Sequence, residues 1–307
     1  MKSRNGAMAR LIIWSVAAAA LTAALVLLLT GRGRSALSGL WGSGIRWPET
    51  ALSYADAEQY TAGGGEAALR DCPEVEINWI SGSVKITGYD GNTIRFSENY
   101  SGDRDLQLHY LVKDGKLTIQ PCAANRGLNF QMPDKTLEVQ VPNTGLEKLT
   151  VSTTSAEVSA SGLQAGQLEA ETVSGGISLE ALKLGTLELS TTSGETAGSG
   201  VTADEVQAET TSGGAALAGT FGSFSGSSVS GDFRVRSDAA LREADIDTTS
   251  GGVELRVPRD CGYTVEFDTV SGSLTSGFAD RTPYVHGDGT ADFSVNTVSG
   301  NLTIGPS

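Results

Sequence analysis

Residues 168 to 217 carry one unit three times: LEAETVSGGISL (Leu168 to Leu179), LELSTTSGETAG (Leu187 to Gly198) and VQAETTSGGAAL (Val206 to Leu217). The Ser of each Ser-Gly pair, Ser174, Ser193 and Ser212, recurs at an interval of 19 residues. A fixed period near 20 is the mark of a solenoid, in which each repeat buries its apolar face only against its neighbours. Six, four and two residues before each Ser stand Leu168, Ala170, Thr172; Leu187, Leu189, Thr191; and Val206, Ala208, Thr210. Alternation of that kind is a half-buried strand. After Ser-Gly the apolar residues change parity, as at Ile177 and Leu179 or Ala215 and Leu217. A one-residue slip turns the side chains to the other face unless the backbone bends, so a corner or bulge is expected at Ser-Gly. The inward Thr and Ser are expected to stack on their equivalents one rung away, pairing hydroxyls within the core.

The same template recurs outside these three copies. It fits Val75, Ile77, Trp79, Ser81, Val84, Ile86, and again Leu149, Val151, Thr153, Ser155, Val158, Ala160. Downstream it fits Phe224, Ser228, Ser230, Phe233, Val235, then Ala244, Ile246, Thr248, Ser250, Val253, Leu255. The last copies are Val265, Phe267, Thr269, Ser271, Leu274, and Phe293, Val295, Thr297, Ser299, Leu302, Ile304. Nine copies result, with later intervals of 18, 20, 21 and 28 residues whose extra length is expected to leave as loops. At about 4.8 Å per rung, the copies from Ser155 to Ser299, stacked in chain order, span roughly 34 Å. Only 6% of the 307 residues are aromatic and 39 are Gly, which suits thin β coils better than a conventional globule. The expected fold is all-β: a single-stranded β-solenoid of ~19-residue coils with an N-terminal β cap, preceded by one transmembrane α-helix.

Domain organisation follows from the composition. Residues 1–10 are a short basic segment, and residues 11–30, LIIWSVAAAALTAALVLLLT, hold no charge. As a helix that run is about 30 Å long, the thickness of a bilayer core. Lys2, Arg4 and Arg10 also suit a cleaved signal peptide, but the apolar run is long and Gly31-Arg32-Gly33-Arg34 is a poor cleavage site, so an uncleaved signal anchor is the preferred reading. Arg32, Arg34 and Arg46 nearly balance the N-terminal charges and leave the orientation open. Residues 31–66 read as a juxtamembrane linker, in which Trp41 and Trp47 either sit at the membrane interface or pack on the first coil.

Residues 67–307 form the solenoid domain, with capping strands and hairpins over 67–145 and repeat coils over 146–307. Asp90-Gly91, between KITGY and NTIRF, and Asp114-Gly115, between LHYLV and KLTIQ, are hairpin signals. Two segments, LEVQVPNTGLEKLTVSTTS and VELRVPRDCGYTVEFDTVS, share the order strand, Val-Pro, strand, Ser. They suggest two related halves joined near residues 200–238, where the repeat is Gly-rich and weakest.

Signals for chemistry are sparse. Cys72 and Cys122 share the capping region and could form a disulfide if the domain lies outside the cell, leaving Cys261 a buried thiol. His109 and His286 sit in unrelated segments without a neighbouring Cys or acidic ligand pattern and read as ordinary strand or loop residues. No hydrolase elbow, zinc-protease helix, phosphate loop or dinucleotide fingerprint occurs, so the chain reads as a non-enzyme without cofactor or catalytic residue. Outward positions five and three before each Ser hold Glu169, Glu171, Glu188, Glu209, Asp245, Asp247, Glu266 and Asp268. Stacked rungs place these carboxylates on one sheet face. A solvated face that keeps the protein soluble is one reading; a site for divalent cations or cationic polymers is the sharper one. Residues 31–307 hold all 36 acidic residues against 19 basic ones, which argues against nucleic acid as a partner.

The apolar N-terminal run, the TTSGG and TVSG rungs, the DGKLTI hairpin and the closing GDGTADFSVNTVSGNLTIG together resemble the bacterial "putative adhesin" family of β-strand-repeat proteins, which includes LiaG-like proteins of the cell-wall stress response. The resemblance covers Ala67 to Pro306, and Ala156, standing where other rungs carry Gly, departs from it. It implies a β-solenoid in the cell envelope tied to antimicrobial-peptide or wall stress, with no catalytic residue to carry over. The expected function is therefore a membrane-anchored, extracytoplasmic binding or envelope-stress scaffold, meeting a cell-wall or surface partner, a cationic peptide or a divalent cation. Alternatives are a polysaccharide-acting β-helix enzyme and a cytoplasmic-facing, polymer-forming scaffold.

Overall fold

A computed structural model describes residues 51–307 apart from 53, 125, 128–131, 281 and 283. The apolar run 11–30, Trp41 and Trp47 lie outside the described residues, and among those described no helix is long and apolar enough to cross a membrane. The described chain is β throughout except for three short 3-10 turns. Apart from the two-stranded pairing of Ala51–Leu52 with Arg126–Gly127, its strands join in one long sheet whose largely parallel register is consistent with a solenoid.

Each rung contributes to two ladders that meet at the Ser-Gly corner. Before the corner, Gln164–Thr172 pairs in parallel with Lys183–Thr191, which sets Thr172 against Thr191; Thr191 in turn sits against Thr210. After the corner, Ile177–Glu180 pairs in parallel with Glu157–Ser161 on one side and the start of Thr196–Thr210 on the other. Phe224 of the first ladder meets Phe233 of the second edge to face at 5.9 Å, so the two ladders share one core.

The corner explains the TTSG sequence. Thr172, Thr248 and Thr297 are buried, and each hydroxyl accepts the N–H of the Gly three residues on at 2.8 to 2.9 Å. Thr191 Oγ1 donates to Thr210 Oγ1 at 3.0 Å, the expected hydroxyl stack. The Ser, in contrast, turns outward. Ser174 gives both its N–H and its Oγ–H to the Thr154 carbonyl of the previous rung, at 3.0 and 3.3 Å, and Ser193, Ser212, Ser230 and Ser250 repeat the pair. The bend thus falls between Thr and Gly, one step earlier than an inward Ser requires. Behind it each Gly is stacked on the Gly of the next rung: a Cβ on Gly194, Gly213, Gly231 or Gly251 would run into the carbonyl oxygen of Gly175, Gly194, Gly213 or Gly231. Ala156 is buried in this column and its carbonyl supports Gly175; in register it faces Gly82, which takes φ 88°.

Two further bends escaped the sequence pattern. Leu163, Leu182 and Val201 are buried beyond a turn marked by Ala181 at φ 53°, and Ala165, Leu184, Ala203 and Phe221 are buried just before a second bend at Gly166, Gly185 and Gly222. Each coil therefore has three straight runs. The sequence signal was present, since Gly166, Gly185 and Gly222 stand eight residues before Ser174, Ser193 and Ser230.

The rungs do not stack in chain order. Ala291–Thr297 lies between Glu243–Thr248 and Tyr263–Thr269, and Leu302–Pro306 lies between Val253–Val257 and Leu274–Ser276. At the other end Glu74–Trp79 and Gly82–Tyr89 lie between the rung of Lys148–Thr153 and Glu157–Ser161 and an outer rung made of Lys116–Gln120 and Lys135–Pro142. That outer rung is a tenth copy hidden by the insertion between its two strands. The chain skips a rung twice, and both skips follow the Val-Pro dipeptides, Val141-Pro142 and Val257-Pro258. Proline has no N–H to seek a ladder partner, so a strand ends there without an orphan donor. The crossing backbone bonds to the skipped rung instead, with Asn143 N–H on the Tyr89 carbonyl and Glu147 N–H on the Pro73 carbonyl. The shared pattern thus marks two crossings, not two halves. Across residues 200–238 the pairing carries on past a register shift between Gly198 and Val201, and Thr196–Thr210 and Ala215–Ser228 are the longest strands among the described residues.

One expected hairpin forms and one does not. Asp114 and Gly115 both take positive φ, 52° and 80°, and turn His109–Lys113 back on Lys116–Gln120. Around Asp90-Gly91 the flanking strands Gly82–Tyr89 and Thr93–Glu98 are held apart by Lys135–Pro142, which pairs with both. Two antiparallel strands then close each ladder at this end: His109–Lys113 and Thr61–Ala62 on one, Thr93–Glu98 and Gly65–Ala68 on the other. Within this cap the Lys135 side chain is 1% exposed, and its Nζ lies 2.6 Å from Glu98 Oε2, 2.7 Å from the Leu106 carbonyl and 2.6 Å from the Pro121 carbonyl, over the Trp79 ring at 4.7 Å. No disulfide joins Cys72 to Cys122: the Cys72 thiol bonds the Ala68 carbonyl, the Cys122 thiol the Ala123 carbonyl, and Cys261 is buried near the Leu241 carbonyl.

The opposite end is covered only in part, by one short loop. Val285–His286 pairs antiparallel with Tyr263 and Thr264, and the Phe278 ring lies against the His286 ring at 4.0 Å, tilted by 32°. His286 Nδ1 lies 2.7 Å from Asp280 Oδ2 and Nε2 lies 3.0 Å from the Arg259 carbonyl, so the ring has an acidic partner that the sequence reading missed. The backbone bond to Arg259 raises the His286 pKa above 6.5, and Asp280 adds to the rise. A raised histidine pKa stabilises below the unfolded value and loses its effect as pH climbs through the folded one. Protection of the amides of residues 284–286, taken relative to intrinsic base-catalysed exchange, is therefore expected to be greatest below pH 6.5 and to fall above it, with His286→Gln removing that fall. A flat profile in the unmodified chain would show that the clasp does not hold the loop.

Candidate functional site

The eight acidic positions do share the outward face of the first ladder, but not as one uninterrupted ribbon. Register sets Glu169 against Thr150 and Glu188, and Glu171 against Ser152 and Ser190. Glu188 then meets Gln207, Glu209 meets Ser190 and Ser227, and Asp245 and Asp247 meet Ser225 and Ser227. On their other side Asp245 and Asp247 face Ser294 and Asn296, because the late rung intervenes before Glu266 and Asp268. Among the eight, only Glu169 and Glu188 oppose each other on adjacent strands. Like charges one rung apart cost about 1 kcal/mol in water, and interleaved hydroxyls and amides remove most of these encounters.

Local donors engage several of the carboxylates. Lys148 Nζ is 2.8 Å from Glu169 Oε2, and Gln167 Nε2 donates to Glu188 Oε1 at 2.8 Å. Gln207 Nε2 donates to Glu209 Oε1 at 3.1 Å, and Asn296 Nδ2 to Asp247 Oδ1 at 3.0 Å. The hydrogen bond to Glu169 raises the Lys148 pKa; desolvation raises that of Asp247, with Asp245 adding and Asn296 opposing. No three Asp, Glu, His or Cys side chains converge as around a metal ion among the described residues. The face instead presents three groups of acceptors: Glu169, Glu171, Glu188 and Glu209; Asp245 and Asp247; and Glu266 and Asp268.

The second ladder's outward face carries arginines that went unread in the sequence. Arg234, Arg236 and Arg256 border a shallow hollow of about 290 Å³ over Ala216 and Ala218. Each guanidinium is met by an acid: Asp232 at 3.0 Å, Asp238 at 3.3 Å and Glu254 at 2.7 Å.

Residues 72–305, nearly the whole described chain, match the family model described as Toastrack DUF4097. The chain belongs to this family. No curated protein matches the Toastrack chain. Among solved structures it is similar to a "putative lipid binding protein" of Parabacteroides distasonis at 17% identity and TM-score 0.48, covering 78% of this chain and 95% of that one. It is also similar to a "putative adhesin" of the same organism at 13% identity and TM-score 0.41, covering 80% and 97%. A "putative adhesin" of Bacteroides fragilis gives 12% identity and TM-score 0.41, covering 80% and 96%.

Proposed function

We propose that this Toastrack protein is a non-catalytic binding scaffold, a β-solenoid of ~19-residue coils held at the cell membrane by residues 11–30 and displayed on the extracytoplasmic side. Its first ladder offers spaced carboxylates to a cationic surface or polymer of the envelope. The observation that carries this reading is the rung register, which fixes Glu169, Glu171, Glu188 and Glu209, then Asp245 and Asp247, outward on one rigid face. A partner with cationic groups at several-ångström spacing can meet these acceptors together, and the interleaved hydroxyls lower the repulsion in its absence.

Titration of the full chain with polylysine tests the proposal. The quadruple variant Glu169→Gln, Glu171→Gln, Asp245→Asn, Asp247→Asn is expected to bind about tenfold more weakly at low salt, since screened contacts are worth about 0.3 to 0.5 kcal/mol each. Undiminished binding by that variant sinks the reading. Protease added to intact cells is expected to cut the solenoid, and complete protection would place it on the inner side.

A further inference from the structure

We propose that the end of the stack formed by Tyr263–Thr269 and Leu274–Ser276 is a docking edge for an extended, basic strand of a partner protein. Both strands are paired on one side only, with Ala291–Thr297 and Leu302–Pro306. On the open side Val285–His286 reaches only Tyr263 and Thr264, and the Tyr284 carbonyl takes the Val265 N–H. Strand alternation points the N–H and C=O of Phe267 and Thr269 the same way, where no strand is paired among the described residues. Leu274–Ser276 has the same open side.

Side chains agree with the backbone. One rung inward, Val295 and Leu302 are 0% exposed, whereas Phe267 and Leu274 at the edge are only partly buried and Val270 is 67% exposed. Thr297 Oγ1 accepts the Gly300 N–H, but Thr269 Oγ1 is buried without a partner. These are core positions that lack their next rung. The far end of the stack is closed on both ladders, whereas at this end Ser307 lies one rung inside the edge, its N–H bonded to the Val257 carbonyl.

Charge selects the occupant. The outward side chains beside the free edge are Glu266 and Asp268, both exposed, so an added strand gains from Lys or Arg at its outward positions and apolar residues at its inward ones. A second copy related by a two-fold axis would set Glu266 and Asp268 against their own equivalents, at about 1 kcal/mol for each close pair. The inference does not depend on the carboxylates between residues 169 and 247.

The test uses the full chain and a labelled peptide of alternating Lys and Val, with alternating Glu and Val as control. Saturable binding of the Lys peptide is expected, slowing amide exchange at residues 266–269 and 274–276 by about tenfold or more. Glu266→Lys with Asp268→Lys is expected to weaken the Lys peptide about tenfold and to confer binding of the Glu peptide, while amides of the interior strand Lys183–Thr191 report that the variant is folded. The quadruple variant of the first ladder is expected to bind the Lys peptide at this edge unchanged. The inference is overturned by protection elsewhere only, by binding indifferent to the charge reversal, or by edge amides already protected in the chain alone. In that last case, dependence on protein concentration would identify a second copy, and independence another segment of the same chain.

Discussion

Gly194→Ala is expected to cost the domain about 3 kcal/mol or more, while Gly176→Ala, in the next rung toward the N-terminus, changes little. A methyl at Gly194 would press on the Gly175 carbonyl oxygen and approach the Thr172 methyl, and neither can withdraw because each belongs to a rung bonded on both sides. Gly176 has its nearest neighbour, the Glu195 carbonyl, at 3.6 Å, an ordinary contact. Urea unfolding of the two variants separates a packing requirement from the general flexibility of Gly, which both substitutions reduce alike. Equal losses would show that the Gly column is not the constraint. Stability in a stack is a sum over neighbouring rungs, so the damage is expected to centre on the rungs of Ser174 and Ser193.

Lys135→Met is expected to cost about 3 to 5 kcal/mol, because it leaves the Glu98 carboxylate buried with its cation removed. Glu98 also accepts the Leu108 N–H through Oε1 at 2.6 Å, so it cannot leave the site without orphaning that donor. Adding Glu98→Gln removes the stranded charge while an amide oxygen can still accept that bond, and the double variant is expected to regain about half of the loss. Denaturant midpoints for the two single variants and the double one close the cycle. A double variant as unstable as Lys135→Met would mean that the carbonyl contacts of Lys135, not its charge, hold the cap. Desolvation lowers the Lys135 pKa and the Glu98 pairing opposes it, so the ammonium is held by its partners against burial.

How far the fold was legible follows from what each signal reports. The Thr, Ser and Gly of the corner announced themselves because every rung solves the same local problem: a hydroxyl for the Gly N–H, a bond to the rung before, and no Cβ where two backbones touch. Residues that serve a single rung left weaker traces. Nothing beside Lys135 in the chain marks it, because its role depends on Glu98, Pro121 and Trp79, which are brought together only by the cap. Asp90-Gly91 looked like a hairpin because local turn chemistry cannot tell that Lys135–Pro142 will lie between its strands. The carboxylates were assigned to the right face, but their spacing along it required the rung order.

Periodicity alone, then, determined the all-β class, the parallel rungs, the inward and outward positions and the corner, since each is set by residues within one repeat or its immediate equivalents. Tertiary structure decided the order of the rungs, the three-sided coil, the separation of the acidic groups and which end stays open. Identical repeats fit next to one another in any sequence, so their pattern is blind to which neighbour each takes. Only the crossings after Pro142 and Pro258, and the bonds they make to the rungs they pass over, fix that choice.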